Sequence, residues 1–123
     1  MTLAGALIAE SLRVGAVLDH LDVTVRKISR ADVGDVEAHQ PLSWTFVEFE
    51  AADEEAPRLA AAFREALDGD IGWYCDFRTT EETFVVFSGR VFRYPRGDHG
   101  GRSEAEAYAR SVGVPDAQLD WPE

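Results

Sequence analysis

The 123-residue chain contains one cysteine, Cys75, one lysine, Lys27, and no asparagine. A single cysteine permits no intramolecular disulfide and no cysteine-based zinc site within the chain, and it fits a reducing, cytoplasmic setting. Positive charge is also scarce. Twelve Lys and Arg stand against 23 Asp and Glu, for a net charge of −11, which argues against binding a nucleic-acid backbone. No apolar run approaches the roughly 20 residues that cross a bilayer. The apolar stretch Met1 to Ala9 has no Lys or Arg ahead of it, so neither a membrane span nor a secretion signal is expected. Repeats and low-complexity tracts are absent as well. What is present is a hydrophobic fraction of 46% with 11% aromatics, enough for a single domain over residues 1–123 that buries about two-thirds of its surface.

The apolar pattern divides the chain into elements. Leu3, Leu7, Ile8 and Leu12 recur at helical spacing and predict a short N-terminal helix within residues 1–20. Val23 to Ile28 is β-branched and partly alternating, as in a charged edge strand. Residues 32–41 lack periodicity and end in Pro41, as a loop does, and Ser43 to Glu50 is aromatic and β-branched, as a second strand is. Asp53 to Pro57 carries the acids and early proline of a helix start. Leu59, Phe63, Ala66 and Leu67 supply its apolar stripe, and Gly69 its end. Trp73, Cys75 and Phe77 alternate with Tyr74, Asp76 and Arg78 in a half-buried strand over 72–79. Residues 83–94 form a hairpin about Ser88-Gly89, with Val85, Phe87, Phe92 and Tyr94 on one face and Phe84, Val86, Val91 and Arg93 on the other. Ser103 to Glu106 reads as a capping box opening a last helix that Gly113 and Pro115 terminate. The tail, residues 114–123, is expected to dock through Leu119 and Trp121. The sum is an α+β fold: an antiparallel sheet of about five strands with two to three helices.

Each candidate for chemistry competes with a structural account. Cys75, with His99 as base and Asp76 or Asp98 as orienter, has the types needed for thiol catalysis. Its strand phase instead sends it into the apolar layer, where a thiolate is disfavoured. Asp35, Glu37 and His39 alternate and can share a face toward a divalent ion, but they sit in a loop without a supporting framework. His20, near Asp19 and Asp22, reads as a helix-end cation. The stretch Tyr94 to Ser103 is Gly-rich, joins a strand to a helix, and carries Arg93, Arg96, His99 and Arg102, a set suited to a small anion. Against this, Glu104 and Glu106 oppose an anion, and the spacing matches no phosphate-binding fingerprint. Asp76 with Tyr74 and Arg78 forms a polar set if a cleft opens over that face; otherwise its members pair across the sheet.

The segments Gly72-Trp73-Tyr74-Cys75-Asp76-Phe77, Phe84-Val85-Val86-Phe87, Val91-Phe92-Arg93-Tyr94-Pro95-Arg96-Gly97-Asp98 and Gln118-Leu119-Asp120-Trp121 together resemble a family of small, single-domain bacterial proteins of unknown function. The segments that carry the resemblance lie within residues 72–121. It implies a cytosolic bacterial protein and implies no activity. From the residues themselves, the leading expectation is a non-catalytic binding module, with a protein partner or a second copy of the chain as its target. The alternative is a small-anion binder or enzyme using Arg93, Arg96, His99 and Arg102 with Tyr74 and Asp76. No catalytic set, metal or cofactor is expected, and no nucleic acid or membrane as partner.

Overall fold

Leu3 and Leu7 are spaced four apart, which suits one face of a helix or alternate sites of a strand equally well, and it is the strand that forms. In the computed structural model, which describes residues 1–34, 40–70 and 72–123, the chain runs through β1 (Thr2–Ile8), β2 (Thr24–Asp32), β3 (Ser43–Ala52), α1 (Ala56–Ala66), β4 (Cys75–Arg78), β5 (Glu82–Phe87), β6 (Arg90–Pro95) and α2 (His99–Ser111). The strands make one antiparallel six-stranded sheet in the order β2-β3-β1-β4-β5-β6. The α+β class stands, and β1 is the strand beyond the five expected. The predicted N-terminal helix is therefore corrected. β1 pairs with β3 from Thr2 to Ile8 and with β4 at Ala4, Gly5 and Ala6, and hydrogen bonding to two neighbours outweighs the helical spacing of four side chains. Gly5 permits this approach: a Cβ there would stand 2.4 Å from Phe77 Cβ and 2.5 Å from the Asp76 carbonyl oxygen.

Alternation sends Leu3, Leu7, Phe49, Phe77, Phe84 and Val86 to one face, where they pack with Leu59 and Phe63 of α1. Cys75 lies in this layer, fully buried, as its strand phase predicts. On the other face Val85, Phe87 and Tyr94 meet Ala105 and Ala109 of α2, together with Val114 and Trp121 of the tail. Trp121 is buried, and its indole N–H donates to the Tyr94 hydroxyl at 2.8 Å, so the tail docks as expected. The hairpin turns at Ser88-Gly89, with Gly89 at φ +74° and Phe87 opposite Arg90.

Both helix boundaries shift from the sequence prediction. α1 ends at Ala66, and Leu67 turns extended to bridge to Leu12. Asp53 does not cap it. The Asp53 carboxylate accepts from the Thr80 hydroxyl at 2.6 Å and so ties this junction to the β4–β5 turn. α2 starts at His99, four residues before the predicted capping box, with Asp98 as its cap. The Asp98 carboxylate accepts from the amides of Gly100 at 3.0 Å and Gly101 at 3.3 Å. Gly101 is where the helix crosses β6, for a Cβ there would reach 2.5 Å from Tyr94 Cβ.

β2 is an edge strand, as its charges suggest. Its pairing with β3 is interrupted between Val25 and Lys27, and Arg26, Lys27 and Arg30 face Glu50, Glu48 and Glu10, features that discourage further strand addition. Among the described residues no helix is long and apolar enough to cross a membrane.

Candidate functional site

The layer formed by α2 and the tail covers the β5 and β6 end of its face and stops short of β1 and β3. A central strand hydrogen-bonded on both edges is ordinarily covered on both faces; here Ala4 remains exposed and Ala6 half-buried. Over them opens a cleft of about 610 Å³, within the size range of small-molecule sites.

Strand register fixes its floor. Asp76 of β4 and Glu48 of β3 both sit opposite Ala6, and Arg78 and Glu50 both sit opposite Ala4. Two methyl groups therefore lie between charged rows two strand spacings apart, about 10 Å. One end is aromatic: Trp44 packs edge-on to Trp73 with ring centroids 5.1 Å apart, and Phe46 adjoins Trp44. The tail builds the side wall. Tyr74 meets Trp121 edge-on at 5.3 Å, and its hydroxyl donates to the Gln118 carbonyl, with the Asp120 carboxylate 3.4 Å away. The side-chain amide of Gln118 in turn donates to the side-chain oxygen of Gln40.

The electrostatics of the cleft centre on Asp76 and Arg78. Alternate residues of one strand point to one face, and the two form an ion pair at 3.8 Å with side chains 19% and 23% exposed. That separation is too long for a hydrogen bond. Among the described residues neither side chain makes one to another protein group, so a carboxylate and a five-donor guanidinium stand side by side at the foot of the cleft, facing its interior. Burial raises the Asp76 carboxyl from its ordinary 3.8 to about 6; Arg78 and Arg102 pull it down, Asp120 pushes it up, and burial prevails. Burial, with Asp76 and Asp120 nearby, likewise pushes the Tyr74 hydroxyl upward, so it stays protonated and serves as a hydrogen-bond donor.

Of the residues singled out from sequence, Tyr74 and Asp76 are brought together here. Arg93, Arg96, His99 and Arg102 do not converge. Arg93 grips Glu82 through two bonds of 2.7 and 2.8 Å and lies over Phe84, on the α1 side of the sheet. Arg96 approaches the Thr79 carbonyl at 3.4 Å, at the β4–β5 turn. His99 is exposed in the first turn of α2. Arg102 is engaged by Glu106 at 3.2 Å and by the Trp121 carbonyl at 2.7 Å, with its guanidinium over the Trp121 ring. The amides expected to cradle an anion at the start of α2 are taken by Asp98. Cys75 points away from the cleft, and burial, with Asp76 adding to it, raises its thiol well above the ordinary value. Asp35, Glu37 and His39 lie outside the described residues.

Sequence reasoning missed the floor and the end wall. Ala4, Ala6 and Ile8 alternate, a signal for a strand with a low-relief face, but Leu3 and Leu7 beside them drew the helical reading. Trp44, Trp73 and Trp121 are far apart in sequence, and only β3, the segment leading into β4 and the tail assemble them. Comparison with known proteins finds no matching family, no matching curated protein and no matching solved structure.

Proposed function

We propose that the protein is a non-catalytic binding module of the bacterial cytoplasm and that its ligand occupies the cleft over β4, β1 and β3. The observation that carries this reading is the half-buried Asp76–Arg78 pair, neither side chain hydrogen-bonded to another described residue, at the foot of an aromatic-walled cleft of about 610 Å³. The position of the pair at the base of an open cavity leaves both charged groups accessible to a third partner. The lining supports binding over catalysis. Cys75 projects from the opposite face, His99 is remote on α2, and among the described residues no activated nucleophile faces Asp76.

The test is native mass spectrometry of the protein equilibrated with a small-molecule extract of bacterial cytoplasm, beside Ala6→Leu, which fills the floor. The reading expects a retained adduct on the natural protein and none on the folded variant; an adduct on both, or on neither, contradicts it.

A protein partner is the second reading, favoured by exposed Val25 and Ile28 on β2 among the paired charges of Arg26, Lys27 and Arg30, a patch that suits a partner with an apolar centre and a charged rim. Under this reading Ile28→Asp abolishes the heavier species that sedimentation detects when the partner is present.

A further inference from the structure

The shape and charge of the cleft restrict its ligand, and this step rests on the binding reading above. We propose that the cleft takes a neutral planar heterocycle with a carbonyl beside N–H groups on one edge, the pattern of a guanine base, lying on Ala4 and Ala6 with its edge against Arg78 and Asp76.

Three features carry it. Among the described residues the floor at Ala4 and Ala6, between Asp76 and Glu48, carries only methyl groups, so a flat ring can settle there on β1, with Ile8 beyond its end. Trp44, Phe46, Tyr74 and Trp121 border that floor and offer the ring faces and edges against which planar heterocycles pack. The guanidinium and carboxylate, 3.8 Å apart on one strand face, present donors beside an acceptor. A carbonyl takes the Arg78 N–H groups, and the neighbouring ring N–H and amino group donate to Asp76, so the ligand replaces solvent at both residues with charge-assisted bonds.

The surrounding charge removes the other classes. Among the described lining residues Glu48, Asp76 and Asp120 stand against Arg78, while Arg102 is tied to Glu106 and the Trp121 carbonyl, so a phosphate or other anion meets net repulsion. A simple cation placed on Asp76 meets Arg78 beside it. An amino-acid zwitterion satisfies both charges but leaves the flat floor unused.

Calorimetric titration with guanosine, adenosine, guanosine monophosphate and phenylalanine decides the matter, using the natural protein, Asp76→Asn and Ala6→Leu. Guanosine is expected to bind, and adenosine, which carries an amino group where guanosine has its carbonyl, to bind about tenfold or more weakly. The monophosphate gains nothing over guanosine. Asp76→Asn weakens guanosine about tenfold or more, and Ala6→Leu abolishes it. Between about pH 7.5 and about pH 5 the affinity falls, as Asp76, raised by burial to about 6, takes up a proton and keeps one acceptor oxygen where the two ligand N–H groups need two. Arg78, Asp120, Arg102, Tyr74 and, across the trough, Glu48 set where that fall occurs.

Absence of guanosine binding, equal binding by Asp76→Asn, or preference for the monophosphate overturns the proposal. If phenylalanine binds instead and Ala6→Leu abolishes it, the heterocycle is wrong and the binding cleft stands. If Ala6→Leu leaves the binding of every probe that binds unchanged, both fall.

Discussion

Asp76 bears a cost in the free protein. Its carboxyl titrates at the ordinary 3.8 when unfolded and at about 6 when folded. Between those values the folded state holds more protons than the unfolded one, so stability is greatest below 3.8 and is lost as pH rises through 6. The loss amounts to at most about 3 kcal/mol at neutral pH. Asp76→Asn, neutral throughout, is therefore expected to be more stable than the natural protein at about pH 8, by up to about 3 kcal/mol, and indistinguishable from it near pH 4. Urea unfolding at the two pH values measures both differences. A residue that costs stability where it sits is what a site selected for binding contains. Its presence on the polar side of β4 was legible from the alternation of residues 73–78. Its burial was not, because the tail that shields it lies 40-odd residues further along the chain (Gln118 to Trp121).

At the scale of elements, legibility follows locality. The β5–β6 hairpin, with Gly89 in the left-handed region and apolar side chains packed on both faces, was written in its alternation and its turn. β1 and the start of α2 were not, because each depends on a close approach made by glycine. Gly5 and Gly101 weaken a helix prediction locally, yet each is required by a neighbour, Phe77 in one case and Tyr94 in the other. Gly5→Ala must push β1 off β4, and since backbone atoms are among those met, the expected cost is about 3 kcal/mol or more; thermal unfolding reads it as a fall in Tm. The cap at α2 offers a milder test. Asp98→Ala frees the Gly100 and Gly101 amides and is expected to cost about 1 kcal/mol, whereas Ser103→Ala, inside the helix, leaves stability almost unchanged. Glu10 shows how a polar side chain can replace a predicted element. Burial alone would raise its carboxyl, but bonds from the Thr45 amide at 2.6 Å and hydroxyl at 2.8 Å, with Arg30 beside it, lower it overall. It fastens the end of β1 to β3, and its stabilising effect is lost as pH falls through the lowered value.

For the molecule as a whole, the cleft exists because six strands are served by one helix on each face. α1 and the segment carrying Leu12, Leu18 and Leu21 close one side, while α2 and the tail close only part of the other. The tail is thus wall as well as cover. Removing residues 119–123 takes away Trp121, its bond to Tyr94 and two carbonyls that hold Arg102. The truncated chain is expected to keep its sheet by far-ultraviolet circular dichroism, to lose about 3 kcal/mol or more, and to lose any ligand. The central claim is that recognition occurs on the open half of this face. The most direct measurement is amide chemical-shift mapping in the isotope-labelled protein as a small-molecule extract of bacterial cytoplasm is added. The account predicts perturbations concentrated in β1, β4 and residues 117–122, with the 96–101 segment silent. Perturbations confined to 96–101 or to the outer strand β2 would contradict it.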